Sequence, residues 1–476
     1  MSESEYDVII IGAGAVAENV ADRAVRGGLT AVLIESELVG GECSYWACMP
    51  SKALLRSGIA LRAAQNVEGT KQAVTGTLDV AAVLKRRDSF TSNWDDKGQV
   101  DWVAGAGIDL VRGHGRLTGT KTVSVENDGT ITNLTARHAV VIATGSDPVL
   151  PDVPGLADAQ PWTPREATSV KSVPASFAII GGGVVGVEMA TAYASLGSDV
   201  TIFARSGLLG GQEDFAGELV AASLEKLGVT IVAGSPSAVS RDGDGVHLTV
   251  DGHTHTAAEV LVAVGRQPRS TDIGLETVDL EPGSWLEVDD TLLVKGFDWL
   301  YATGDINHRA LLTHQGKYQA RAAGDVIAAR ATGATVDDAK WGAHVATADH
   351  EVVPQVTFSD PEVASVGLTS TAATKAGYSI HVVDYDLGWV AGASLQADGY
   401  EGKARMVVDA EREVILGVTF VGQDVSELLQ AATIAIAGEV PIARLWHAVP
   451  AYPTMNEIWL RLLETYRDEV AAETEA

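Results

Sequence analysis

Cysteine is almost absent: Cys43 and Cys48 are the only two in 476 residues. So few in so long a chain exclude a fold stapled by disulfides and point to a reducing compartment. No apolar run approaches the ~18 residues of a membrane span, so no membrane partner is expected. The first residues are acidic, and the apolar run at 8–11 is too short for a secretory leader. Basic charge is also scarce, with 34 Lys and Arg against 63 Asp and Glu and a net charge of −29. That balance argues against nucleic acid or an anionic membrane surface as partner and says nothing about fold. These absences lead to the expectation of a soluble cytoplasmic protein. Length alone suggests two to four domains. Glycine is not scarce, at 50 residues, and part of it falls in a spacing that recurs.

Both cysteines lie in Val39-Gly40-Gly41-Glu42-Cys43-Ser44-Tyr45-Trp46-Ala47-Cys48-Met49-Pro50-Ser51-Lys52. Two small buried apolar side chains would be the plain reading, because buried thiols are common. Zinc needs two more soft or imidazole ligands, and none is near, so no metal site is expected. Geometry favours a redox pair. In a regular helix, residues five apart have Cα atoms roughly 8.6 Å apart, beyond the ~7 Å reach of a disulfide. A bond between them requires a helix that begins irregularly, and a constrained bond is easier to reduce. A helix starting near Cys48 would point its positive end at that sulfur and favour the thiolate.

The glycines form two matching patterns. Residues 6–11 are a buried strand by their continuous β-branched run. Gly12-Ala13-Gly14-Ala15-Val16-Ala17 follows, then a helical pattern at 18–26 and a strand at 30–34 ending on Glu35. Glycines there let the backbone approach a pyrophosphate at a helix start, and the acid binds ribose hydroxyls. The pattern repeats as a strand at 177–180, Gly181-Gly182-Gly183-Val184-Val185-Gly186, a helix at 187–196 and a strand at 199–203. Two dinucleotide sites with a cysteine pair form a stronger signal than any one of them. One nucleotide can bring reducing power, and the other can be a bound flavin that relays it to sulfur. At the end of the second-repeat strand stands Arg205 rather than an acid. An arginine suits a 2′-phosphate, so NADPH is expected over NADH.

The remaining chain reads as a helix at 53–64, a less legible stretch to about 101, and strands at 109–143 with a turn at Asn127-Asp128-Gly129. Ala143-Thr144-Gly145 closes that section, and a proline-containing linker runs from 147 to 164. Strand 260–264 leads into Gly265-Arg266-Gln267-Pro268. Strand 299–303 ends at Gly304-Asp305, where an acid can hold a ribityl or ribose hydroxyl. From 353 the pattern changes to strands at 355–358, 379–385, 404–409 and 414–421, with helices at 426–437, 443–446 and 457–469. This reads as a separate α+β domain, with a frayed acidic tail from 468.

These motifs together resemble the flavin-dependent pyridine nucleotide–disulfide oxidoreductases, in the branch that holds dihydrolipoamide dehydrogenase, glutathione reductase and mercuric reductase. The resemblance covers nearly the whole chain. It implies an α/β fold of two Rossmann-like dinucleotide-binding domains with a C-terminal α+β dimerisation domain. The expected partition is 1–150 and 271–350 for FAD, 151–270 for NAD(P)H, and 351–476 for a homodimer interface. It implies FAD held by Gly12, Gly14, Ala17, Glu35, Gly41, Thr144, Gly145, Gly304 and Asp305, and a cofactor contact at Gly265. It implies NADPH or NADH held by Gly181, Gly183, Gly186 and Arg205. Cys48 would face the flavin and form the charge-transfer thiolate, and Cys43 would be the interchange thiol. Lys52 and Glu188 would pair near the flavin N5.

One departure bears on the acceptor. The disulfide reductases carry a His just before a Pro-Thr, with a Glu five residues after the His. Here Pro453-Thr454 and Glu457 are present, but Tyr452 occupies the acid–base position. A histidine with a pKa near 6.5 shuttles protons at neutral pH, whereas a phenol near 10 does so poorly. His447 is five positions early and is no substitute. A tyrosine there resembles mercuric reductase, which also uses a C-terminal cysteine pair that this chain lacks. The leading expectation is hydride transfer from nicotinamide through FAD to Cys43–Cys48, then to a small-molecule or protein disulfide. The alternatives are reduction of a metal ion, reduction of quinones or dyes directly from the flavin, and a binding role as the dehydrogenase subunit of a larger complex.

Overall fold

The computed structural model describes residues 3–475. They divide into two compact units, 1–50 with 88–149 and 265–350, and 51–87 with 150–264 and 351–476.

In the first unit the expected strand at 6–11 forms Glu3–Ile11, whose apolar run Val8 to Ile11 is almost wholly buried. It lies between Ala31–Glu35 and Thr130–Ile142, parallel to both. Asp109–Arg112 and Leu300–Ala302 extend the parallel set on either side. Continuous β-branched runs suit strands covered on both faces. The first half of Thr130–Ile142 also pairs antiparallel with Thr122–Asn127, which pairs with His114–Gly119. Asp128 and Gly129 make the connecting turn with both φ angles positive, the conformation that tight hairpins prefer.

Helices Ala17–Arg26 and Thr313–Thr332 pack together through small residues. A Cβ on Gly316 would meet Val16, one on Gly324 would meet Arg23, and one on Gly27 would meet Ala328. Arg23 and Asp325 close the contact with an ion pair at 2.6 Å. This packing brings the starts of both helices to the carboxyl end of the parallel strands, where open α/β sheets bind ligands.

In the second unit Ser176–Ile180 lies between Asp199–Ala204 and Glu259–Val262, with Thr230–Ala233 beyond, all parallel. A three-stranded antiparallel meander spans Ala238–Asp242, Gly245–Val250 and His253–Ala257. The C-terminal part is a five-stranded antiparallel sheet in the order Gln355–Thr357, Glu362–Gly367, Val414–Gly422, Lys403–Asp409, Ile380–Asp386. Val414–Gly422 is buried along its whole length, as a central strand should be. The last helix is Glu457–Glu475. Ile458, Leu462, Leu463 and Tyr466 bury one stripe that docks its first half, and helical backbone continues beyond that stripe through the acidic stretch expected to fray.

Candidate active site

The loop that carries the cysteines starts with two left-handed glycines, Gly40 (φ 109°) and Gly41 (φ 61°). A Cβ on Gly41 would lie 2.8 Å from the Gly14 Cα, so this loop and the first glycine turn touch backbone to backbone. A five-residue helix, Gly41–Tyr45, holds Cys43. It ends at Trp46, which is non-helical at φ −135°, and a new helix, Cys48–Gln65, begins on the second cysteine. The irregular break therefore falls between the two cysteines.

No disulfide joins them in this structure. The Cys43 thiol is pushed upward, first by its hydrogen bond with Cys48, then by burial and by the neighbouring sulfur's charge. Cys48 is the first residue of its helix and receives the helix's positive end. Its Sγ lies 3.4 Å from Thr313 Oγ1.

The first glycine turn sits beside this pair in the same unit. Gly12 has φ 102°, and a Cβ on it would strike the Ala143 carbonyl at 2.5 Å. Ala17, the first residue of its helix, is fully buried. Glu35 ends its strand as expected. Its carboxylate accepts hydrogen bonds from the Ala13 and Glu37 N–H groups, each at 2.8 Å, and burial raises its pKa. Glu35 therefore steadies the glycine turn itself. Thr144 and Gly145 (φ 76°) follow the neighbouring strand. Gly265 has φ 153°, and its carbonyl accepts from Val149 N at 3.0 Å. Gly304 has φ 78° and packs against Val16. Asp305 accepts from Ser146 Oγ at 2.5 Å, and Ser146 is held in turn by Arg266 at 2.6 Å.

Three buried polar atoms around this turn have no hydrogen-bond partner: Thr144 Oγ1, Thr303 Oγ1 and Glu18 Oε1. Each adjoins the glycine turn. Thr144 meets Gly12, Glu18 N donates to the Gly14 carbonyl, and Thr303 precedes the Gly304 that packs on Val16. Burial pushes the Glu18 carboxyl up to about 7, so near neutrality it holds a proton to donate. Unsatisfied buried groups of this kind call for a ligand with its own donors and acceptors. A dinucleotide with hydroxyls and phosphates fits them.

In the second unit, Gly181 (φ 122°) leaves its strand with no room for a Cβ, which would lie 2.2 Å from the Ala263 carbonyl. Gly183 caps the helix Val184–Ser195 and has open space around it. Gly186 lies on the first turn of that helix, where a Cβ would fall 2.0 Å from the Gly181 carbonyl. Arg205 stands exposed directly after Asp199–Ala204. Within this unit Lys52 Nζ and Glu188 Oε2 pair at 2.8 Å. The other Glu188 oxygen accepts from Phe358 N at 3.0 Å, and Lys52 lies 4.9 Å from the Phe358 ring centre.

Tyr452 is 75% exposed. Glu457 is buried; one oxygen takes Arg461 at 2.6 Å, and the other has no hydrogen-bond partner. Ser146, Arg266, Thr303 and Glu18 escape the sequence reading as site residues. Their neighbours lie up to 159 positions away, and no local pattern marks such contacts.

The sequence profile of the pyridine nucleotide–disulphide oxidoreductases matches residues 6–325, and that of their dimerisation domain matches 353–462. A mercuric reductase from Staphylococcus aureus is 30% identical over 463 residues, 96% of this chain and 81% of its own length. A dihydrolipoyl dehydrogenase from Chlorobaculum tepidum is 33% identical over 468 residues, 95% of each chain. Among solved structures, the Cu(II) complex of the HOCl-induced flavoprotein disulfide reductase RclA from Escherichia coli matches with a TM-score of 0.83. It covers 97% of this chain and 99% of that one, at 22% identity, and so speaks for the fold alone.

Proposed function

Because the chain belongs to the pyridine nucleotide–disulphide oxidoreductase family, we propose that Cys43 and Cys48 are its redox centre and that a disulfide is its acceptor. The enzyme is an FAD-dependent NAD(P)H oxidoreductase. FAD, when bound, takes hydride from the nicotinamide and supplies an electron pair to the sulfurs.

The observation that carries this reading is the helix break between the cysteines, with Cys48 opening the new helix. Two electrons and one proton convert the Cys43–Cys48 disulfide to one thiol and one thiolate. The helix start favours the charge on Cys48, and the raised Cys43 keeps the proton. Once deprotonated, Cys43 attacks the acceptor disulfide and releases one acceptor sulfur as thiolate. Cys48 then attacks the Cys43 sulfur, which re-forms the internal disulfide and frees the second acceptor sulfur.

Gly12, Gly14, Ala17, Gly41, Thr144, Gly145, Gly265 and Gly304 provide the close backbone approach for FAD, with Glu35 steadying the turn and Asp305 for a hydroxyl. Gly181, Gly183 and Gly186 serve the nicotinamide nucleotide, and Arg205 supports NADPH over NADH. Lys52 and Glu188 are assigned the family's ion pair for the hydride step. The partition at 150, 270 and 350, a homodimer and a cytoplasmic location complete the reading.

A second reading, metal-ion reduction, is favoured by Tyr452 and by the mercuric reductase relatives. Cys43→Ser tests both against a reductase working from the flavin alone. It is expected to abolish NADPH-dependent reduction of disulfides and of metal ions and to leave dye and quinone reduction intact. Disulfide turnover that survives in this variant would remove the cysteine pair from the mechanism.

A further inference from the structure

The first unit buries a carboxylate that neither the expected motifs nor the thiol–disulfide exchange uses. The Asp349 side chain is 0% exposed. Its two oxygens accept from Gln315 Nε2 and Gln319 Nε2, each at 2.9 Å. Gln315 and Gln319 are themselves buried and lie one turn apart on the helix Thr313–Thr332. The Gln319 carbonyl oxygen, at the other end of the amide, accepts from Gly304 N and from Asn307 Nδ2, each at 2.8 Å. Gly304 opens the short turn Gly304–Asn307 that carries Asp305.

An amide has a donor end and an acceptor end of nearly the same shape, so packing alone cannot choose its orientation. A carboxylate can only accept. Asp349 therefore fixes the nitrogen of Gln319 toward itself, and the oxygen must face Gly304. We propose that Asp349 is a positioning residue for the FAD-binding turn, acting through the orientation of the Gln319 amide to hold Gly304 and Asp305. This rests on the reading that Asp305 belongs to the FAD site. Arg309, 3.9 Å from Asp349, adds an opposite charge that ranks after the Gln319 bond and ahead of the Gln315 bond in holding the carboxylate, while its own close bond at 2.9 Å goes to Asp290.

The test is the FAD dissociation constant of the full-length protein, read by flavin fluorescence, with the melting temperature of each variant recorded beside it. Asp349→Asn lets the Gln319 amide turn over and set its nitrogen against the Gly304 N–H. FAD affinity is then expected to fall about tenfold, the size of one lost buried hydrogen bond. Gln319→Glu alone, which sets two carboxylates face to face, is expected to lose at least as much. The double variant Asp349→Asn with Gln319→Glu reverses the direction of the relay. An asparagine N–H now meets a carboxylate that still accepts from Gly304, so affinity is expected to return to within about twofold. A merely structural role would give a double variant no tighter than the worse single one, and that result overturns the inference. So does an unchanged affinity in Asp349→Asn. Failure of the unmutated protein to bind FAD, or of Asp305→Ala to weaken it, would instead sink the functional reading.

Discussion

Two single residues, Tyr452 and Glu18, carry predictions that can be checked one side chain at a time. Tyr452 stands where the disulfide reductases have a histidine, the side chain best suited to shuttle protons at neutral pH. Glu457, five residues on, is buried and keeps one oxygen without a partner. Tyr452→His is therefore expected to raise turnover with a disulfide acceptor by at least about tenfold, short of the ~10²–10⁴-fold typical of an optimised general acid–base group. Steady-state kinetics with a panel of disulfides checks this, and no gain with any of them would show that Tyr452 is not the limiting feature. Glu18 makes the second case. Burial lifts its carboxyl from about 4.5 to about 7. The folded chain keeps a proton over that range that the unfolded chain gives up. Stability from this group is full below about pH 4.5 and is lost as pH rises through 7. Glu18→Gln keeps the shape and removes the titration. It is expected to stabilise the chain by about 1–3 kcal/mol at pH 8 and to change little at pH 4. Urea unfolding at both values decides it, and equal effects at the two would contradict the buried-acid account.

At the scale of elements, the second glycine turn depends on a contact too close for any side chain. A Cβ on Gly186 would sit 2.0 Å from the Gly181 carbonyl. Gly186→Ala must push the helix Val184–Ser195 off its strand. The KM for NADPH is then expected to rise at least about tenfold while FAD stays bound; an unchanged KM would show the close packing to be dispensable. This turn is legible in the sequence because strand, glycine spacing and helix all fall within about twenty residues. The apolar runs at 8–11 and 177–180 are legible for the same reason, since strands buried on both faces need no partner to be recognised. Glu362–Gly367 is visible only as a family motif, because Glu, Ser and Gly mask its alternation. In the meander from Ala238 to Ala257 only Gly245–Val250 alternates, with Val246, Leu248 and Val250 buried, and the flanking strands, rich in Ser, Asp, His and Thr, blur that short signal. Thr313–Thr332 escapes a reading by pattern because its buried face is built of Gly, Ala and Gln with few large apolar residues, which gives little contrast with the polar stripe at His314, Lys317, Arg321 and Asp325. Within the site, the sequence marks the cysteines and glycines. The Lys52–Glu188 pair, 136 positions apart, comes only from resemblance. The Asp349–Gln319 relay, which joins a helix to a distant turn through side chains, has no signal at all.

For the molecule as a whole, two opposing terms decide association. Within the segment that matches the family's dimerisation domain, Val449 is 85% exposed, Tyr452 75% and Ile434 60%. Exposed apolar groups gathered in such a segment favour burial against a second copy. The net charge of −29 opposes it, because two copies carry the same sign. Salt screens the repulsion over a Debye length of about 10 Å at 0.1 M and leaves the apolar term intact. Dimerisation is therefore expected to tighten as salt is raised from low ionic strength, the reverse of an interface held by ion pairs. Val449→Glu adds one more like charge at the most exposed apolar position and is expected to yield monomers at concentrations where the unmutated chain is dimeric. Sedimentation velocity across a salt series measures both. A Val449→Glu variant that stays as dimeric as the unmutated chain at every salt concentration would show that this exposed set lies outside the interface.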